Sequence, residues 1–204
     1  GVAVLLGLCR EIKRIQAPVR VVFFDREEAW FRTPLLRLGL LGSLYYVWRN
    51  DLRQLAAVYN LEYCGRGELL GVWPVRPREV DLAAVREVAE AAARLALPFQ
   101  TVHIPWPLLS SDHLSFRLKG MANAITLSLL PQSQVPALEN LLTGVSIPRL
   151  LTGRRPVLPE PLLIVHTPGD NSSRLSESSL QLMLSLVLEL IEGYRLASSR
   201  ITSR

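Results

Sequence analysis

Apolar residues recur at helical spacing from the start of the chain. Leu5, Leu6, Leu8, Cys9, Ile12 and Ile15 make residues 1–15 an amphipathic helix that Pro18 ends. The run VRVVFF, residues 19–24, is β-branched and aromatic and too apolar on both faces for a half-exposed strand. It predicts a strand in the middle of a sheet covered by helices. An irregular stretch follows, then a helix over residues 43–53 and a second buried strand over residues 56–63, AAVYNLEY, ending at Cys64 and Gly65. Residues 76–97, rich in Ala, Glu and Arg, give the strongest helical pattern in the chain. Strands are predicted over residues 99–104 and 124–130. Residues 131–161 hold six of the 14 prolines and read as a surface excursion around one helix, residues 135–142. An amphipathic helix over residues 176–194 closes the pattern. Strands alternating with helices predict an α/β fold, a three-layer sandwich whose mainly parallel mixed sheet is flanked by helices, as a single domain over residues 1–204.

Composition narrows the class. Of the 204 residues 49% are apolar and 20% charged, which is the balance of a globular chain, and no apolar run reaches the roughly 18 residues of a membrane span. The formal charge of +5 comes from 21 Arg and 2 Lys scattered along the chain, without the clustering and interleaved aromatics of a nucleic-acid surface. Cys9 and Cys64 form no disulfide framework, zinc knuckle or CxxC motif. The chain opens at Gly1 in an apolar run that lacks both a helix N-cap and the basic segment of a signal peptide, so it is expected to begin inside a longer protein, with any targeting segment upstream.

In α/β folds the ligand site lies outside the carboxyl ends of the strands. Chemistry-bearing residues follow the predicted strands here: Asp25, Glu27 and Glu28 after the first, Glu62 at the end of the second, Asp112 and His113 after the third, and His166 after the apolar run LLIV. Glu and His at the ends of separate strands have the makeup of an oxygen- and nitrogen-ligated zinc site. Two adjacent glutamates at a strand end point different ways, so one can face a metal and the other the water that attacks the substrate. An isolated Glu-Glu pair is more often a solvated strand end. Ser111 or Asp112 alone would more often be an N-cap, and a lone histidine such as His166 more often structural. Glu62, however, sits in an otherwise apolar strand where an unpaired carboxylate is costly, and His166 precedes the rigid turn Thr-Pro-Gly-Asp, with Asp170 as an orienting partner.

Taken in order, GVAVLLGL (1–8), VRVVFFDREE (19–28), GSLYYV (42–47), NLEYCG (60–65), SDHLSFRLKG (111–120) and HTPGD (166–170) resemble the motifs of metallopeptidase family 28, the zinc aminopeptidase and glutaminyl cyclase group. The resemblance covers almost the whole chain. It implies a zinc exopeptidase-like fold, zinc as cofactor with one or two ions, and peptides as substrates. It also implies that Glu27 is the general base, that Glu28, Glu62 and His166 ligate metal, and that Asp112 lies near the substrate. Family members carry a bridging aspartate and a further histidine ligand before the helix that here starts at Gly1, so the remaining ligands are expected upstream. Three departures stand out: Arg26 replaces a glycine before the Glu pair, an insertion separates Glu28 from Gly42 and Ser43, and Glu62 replaces an aspartate. The leading expectation is a zinc aminopeptidase; the alternatives are a non-catalytic peptidase-like binding domain and a glutaminyl cyclase-like enzyme.

Overall fold

The computed structural model describes residues 1–15, 17–27, 31–32, 37–73, 79, 81–102, 111–138, 160–165 and 167–202. Its centre is β6 (Ala124–Leu130), in which Ile125, Leu127 and Leu129 alternate with Ala124, Thr126 and Ser128, all six buried. β6 pairs in parallel with β3 (Val58–Leu61) on one side and antiparallel with β4 (Leu69–Trp73) on the other. β5 (Phe99–Thr101) runs parallel to β4 at the far edge, giving the order β3-β6-β4-β5. The sheet is mixed, as expected, with its antiparallel step at β4–β6.

The two faces of this sheet differ chemically. On one, Leu61, Leu70, Val72, Ile125, Leu127 and Leu129 form the main core with three helices. These are α1 (Val2–Ile15), α3 (Ala83–Arg94) and α6 (Glu177–Thr202). α3 docks through Ala84, Val85, Val88, Ala91 and Ala92, a helical stripe of small side chains that brings its backbone close to β6. The other face is covered by α2 (Leu41–Arg49) and α4 (His113–Leu118), which share Val47, Phe116 and Ala124 in a smaller apolar cluster. Helices on both faces of a mixed sheet make the three-layer α/β sandwich. Among the described residues, no helix is long and apolar enough to cross a membrane.

Several elements differ from the sequence pattern. The expected central strand at residues 19–24 forms no ladder. It is only partly buried: Val19 and Val21 pack on the main core and Phe24 packs on Tyr46 and Phe116, while Phe23 is about half exposed. Apolar composition specified the packing of this segment but not a hydrogen-bonded neighbour. β4 was not anticipated. It is fully buried, but its five residues contain Gly71 and lie between a glycine-rich turn and Pro74, which masks the apolar run LLGVW as a strand. A short hairpin, β1 (Phe31–Arg32) with β2 (Arg37–Leu38), lies within the insertion before α2. The helix expected over residues 43–53 starts earlier and stops at Arg49, where Asn50 bonds back to the Tyr46 carbonyl through both its backbone N–H and its side-chain amide. The run before His166 is not a strand: Glu160–Ile164 forms a helical turn, α5. Residues 135–138 are helical; the rest of the helix expected there lies outside the described residues.

Candidate functional site

The site is built on the α2/α4 face of the sheet. Asn60 of β3 and Trp73 of β4 flank Thr126 of β6 in register. Polar groups thus sit side by side on this face of an otherwise apolar sheet, and each is hydrogen-bonded, as burial requires. Asn60 Nδ2 donates to Thr126 Oγ1 at 3.2 Å and to Ser111 Oγ at 2.8 Å. Thr126 Oγ1 lies 2.8 Å from Nδ1 of His113, and Trp73 donates its indole N–H to Ser128 Oγ at 2.8 Å. The indole and the imidazole meet edge to face, 5.5 Å apart. Burial, and secondarily the charge of Arg117, push the His113 pKa down to about 3, so the ring is neutral.

This network ends on Glu62, which follows β3 at its carboxyl end. Ser111 Oγ donates to Glu62 Oε1 at 2.5 Å, and Asn60 Nδ2 approaches the same oxygen at 3.4 Å. The backbone N–H of Glu62 still pairs with the Leu127 carbonyl, so the β ladder carries the residue to its place. Among the described residues, Glu62 Oε2 accepts no hydrogen bond.

Asp112 lies next to Ser111 at the start of α4. It is 8% exposed, and its Oδ1 is buried without a hydrogen-bond partner among the described residues. It makes no capping bond to its own helix, so the N-cap role does not account for it. Burial raises its pKa, a hydrogen bond from Ser43 acts against that shift, and the nearby charge of Glu62 adds to it. Ser43, 2.8 Å from Ser115 Oγ, belongs to the first turn of α2. That same turn holds the Glu27 segment: Leu40 N–H donates to the Glu27 carbonyl and Leu41 N–H to that of Arg26. At Gly42 a Cβ would overlap the backbone carbonyl oxygen of Asp25, so glycine is what lets the two segments meet.

The structure therefore brings Glu62 and Asp112 together and ties the Glu27 backbone to the helix that contacts Asp112. Glu28 and His166 lie outside the described residues. Asp170 is exposed, at the end of a turn in which its N–H donates to the Thr167 carbonyl and Thr167 Oγ1 bonds the Ile164 carbonyl and the Gly169 N–H. Arg26 has φ 55°, the left-handed region where glycine is at ease, and its side chain is 73% exposed, 3.9 Å from the Asp25 carboxylate. Asn60, Thr126 and Ser128 were not foreseen. The alternation of Thr and Ser in the buried strand AITLSLL was a signal for Thr126 and Ser128; Asn60 had none until β3 was placed beside β6.

A family model described as Peptidase family M28 matches residues 1–191. The chain belongs to that peptidase family. A search of curated proteins finds no match to the chain. Membership makes the chain a metallopeptidase of the zinc exopeptidase-like fold, with peptides as its substrates. M28 members generally bind zinc, and two features of this face fit a cation: the open Oε2 of Glu62 and the orphaned Oδ1 of Asp112. A buried, unpaired carboxylate oxygen such as Asp112 Oδ1, near a second carboxylate, is costly unless positive charge or a donor joins it. Among the described residues, no three His, Cys, Asp or Glu side chains group closely enough to complete a metal site.

Proposed function

We propose that this M28 chain is a zinc-dependent aminopeptidase that releases N-terminal residues from peptides. The observation that carries the reading is Glu62: at a strand's carboxyl end, one oxygen is held by Ser111, and Asp112, whose Oδ1 lacks a partner among the described residues, is near enough to feel its charge. Glu28, Glu62 and His166 would hold the ion. When bound, zinc supplies Lewis-acid polarisation of the scissile carbonyl and lowers the pKa of water. Glu27 takes a proton from the attacking water and passes it to the leaving amine. Asp112 faces the substrate and obtains there the donor that its Oδ1 lacks. The network from His113 through Thr126, Asn60 and Ser111 holds Glu62 in one orientation before substrate arrives, so none of that ordering is left to the reaction.

The test is hydrolysis of an aminoacyl anilide by the full-length protein with added zinc, alongside Glu27→Gln. Release of the amine by the parent, abolished in the variant while bound zinc is retained, is the expected result. Equal rates in both, or no hydrolysis by zinc-loaded protein, would overturn the assignment.

A further inference from the structure

Two helices on the site side of the sheet present an apolar face outward. Leu41, Tyr45 and Trp48 follow one another at i, i+4 and i+7 along α2, and Tyr45 and Trp48 are 65% and 73% exposed. Leu118, at the end of the adjacent α4, is 71% exposed. Cations are held against both rings. Arg49 lies over Tyr45, 5.5 Å from the ring centre, with Nε donating to the phenol oxygen at 3.2 Å, and the Lys119 ammonium lies 4.2 Å from the centre of the Trp48 ring. Neither helix, LGSLYYVWR or HLSFRL, contains an acidic residue, and Asp51, just beyond α2, is engaged by Arg53 at 2.8 Å.

We propose that this face seats the protein peripherally on an anionic lipid surface. Tyr and Trp carry an apolar body and a polar edge, and with Lys and Arg beside them they match the boundary between acyl chains and headgroups. Both rings are more than half exposed. A fluid interface admits a protruding ring without a complementary pocket, which a folded protein partner would have to provide. Charge selects among the remaining occupants: a second copy on the same face would set Arg49 and Lys119 against their own images, whereas acidic headgroups complement them and the net charge of +5. This holds whether or not the chain is an aminopeptidase.

Co-sedimentation of the chain with phosphatidylcholine vesicles, with and without phosphatidylglycerol, tests the proposal. The chain is expected to partition onto the anionic vesicles, and Trp48→Ser or Tyr45→Ser, which leave the charge unchanged, to weaken that partition by about tenfold each. Lys119→Ala should weaken it about fivefold. Circular dichroism and thermal melts confirm that the variants remain folded, as the exposure of these side chains requires. No partition, or serine variants that bind like the parent, overturns the proposal, the second result by assigning attraction to the scattered arginines. A concentration-dependent dimer lost in Trp48→Ser would also overturn it, in favour of a second copy.

Discussion

Taking the protein from neutral to about pH 4 sets the buried imidazole of His113 against the proton. Its folded pKa is pushed down to about 3, chiefly by burial, while the unfolded chain titrates near ~6.5. Between those values the unfolded state binds the proton and the folded state does not. Stability therefore rises with pH across this window and is lost as pH falls through it. At about 1.4 kcal/mol per pH unit, acidification from the upper edge of the window to about pH 4 removes about 3 kcal/mol, a large part of the ~5–15 kcal/mol that holds a domain together. Asp112, whose pKa is raised, acts in the opposite sense, losing stability as pH rises through its own window. It is present in both chains of a comparison with His113→Gln and largely cancels from the difference. At neutral pH the variant should be less stable by about 1–2 kcal/mol, having lost the edge-on contact with Trp73 and the original bond to Thr126. Near pH 4 the order should reverse, with the curves crossing at about pH 5. Urea unfolding followed by tryptophan fluorescence at successive pH values measures this directly. Parallel stability curves for the two chains would refute the reasoning, because they would mean that His113 titrates alike in the folded and unfolded states.

Three further outcomes follow from the same geometry. Ser111→Ala should cost about 1–2 kcal/mol in thermal melts and weaken zinc binding, measured by competition with a chromogenic chelator, by roughly 10- to 100-fold, since Asn60 loses an acceptor and Glu62 the donor that orients it. Glu87 accepts hydrogen bonds from the half-buried phenols of Tyr59 and Tyr194, which joins α3, β3 and α6; Glu87→Ala should cost about 2 kcal/mol in thermal or urea melts. Because burial and Glu87 hold both phenols protonated, stability should also fall as pH rises above ~10, where the unfolded tyrosines ionise and the folded ones do not. Gly42→Ala should cost roughly 1–3 kcal/mol and lower peptidase activity as well, because the added methyl pushes the Asp25 backbone, and with it Glu27, away from α2.

How legible an element was depended on whether one residue pattern specified both its conformation and its neighbours. β6 was read over its full length because a seven-residue apolar run with Thr and Ser at alternate places fits a strand inside a sheet. α3 was read because alanine gives both helix propensity and a narrow docking stripe. Residues 19–24 were misread because an apolar run reports burial and not a hydrogen-bonding partner, and here the burial comes from the main core and the Phe24–Tyr46–Phe116 cluster. LLIV before His166 was misread for a related reason: four apolar residues carry no period, and Glu160 starts a helical turn there, where Arg66 and Arg174 pair with its carboxylate. Within the site the charged residues drew attention, and the neutral ones that hold them did not. Asn60 and Thr126 became visible only when β3 and β6 were placed side by side.

The departures from the family motif are accommodated locally. Arg26 stands where the motif has glycine because that position needs a left-handed backbone, and at φ 55° the arginine adopts it at a cost of about 1 kcal/mol while its guanidinium stays largely in solvent. It therefore adds no cation at Glu62. Glu62 is one methylene longer than the aspartate it replaces, and a longer carboxylate has more rotamers to lose before it can serve as a ligand. Ser111 and Asn60 restrict that freedom by gripping a single oxygen, Oε1. The grip depends on the parallel register of β3 on β6, which sets Asn60 beside Thr126. A slip of one residue would turn Asn60 and Glu62 into the apolar core and Tyr59 and Leu61 out of it. The same register thus buries the apolar face of β3 and aims the carboxylate.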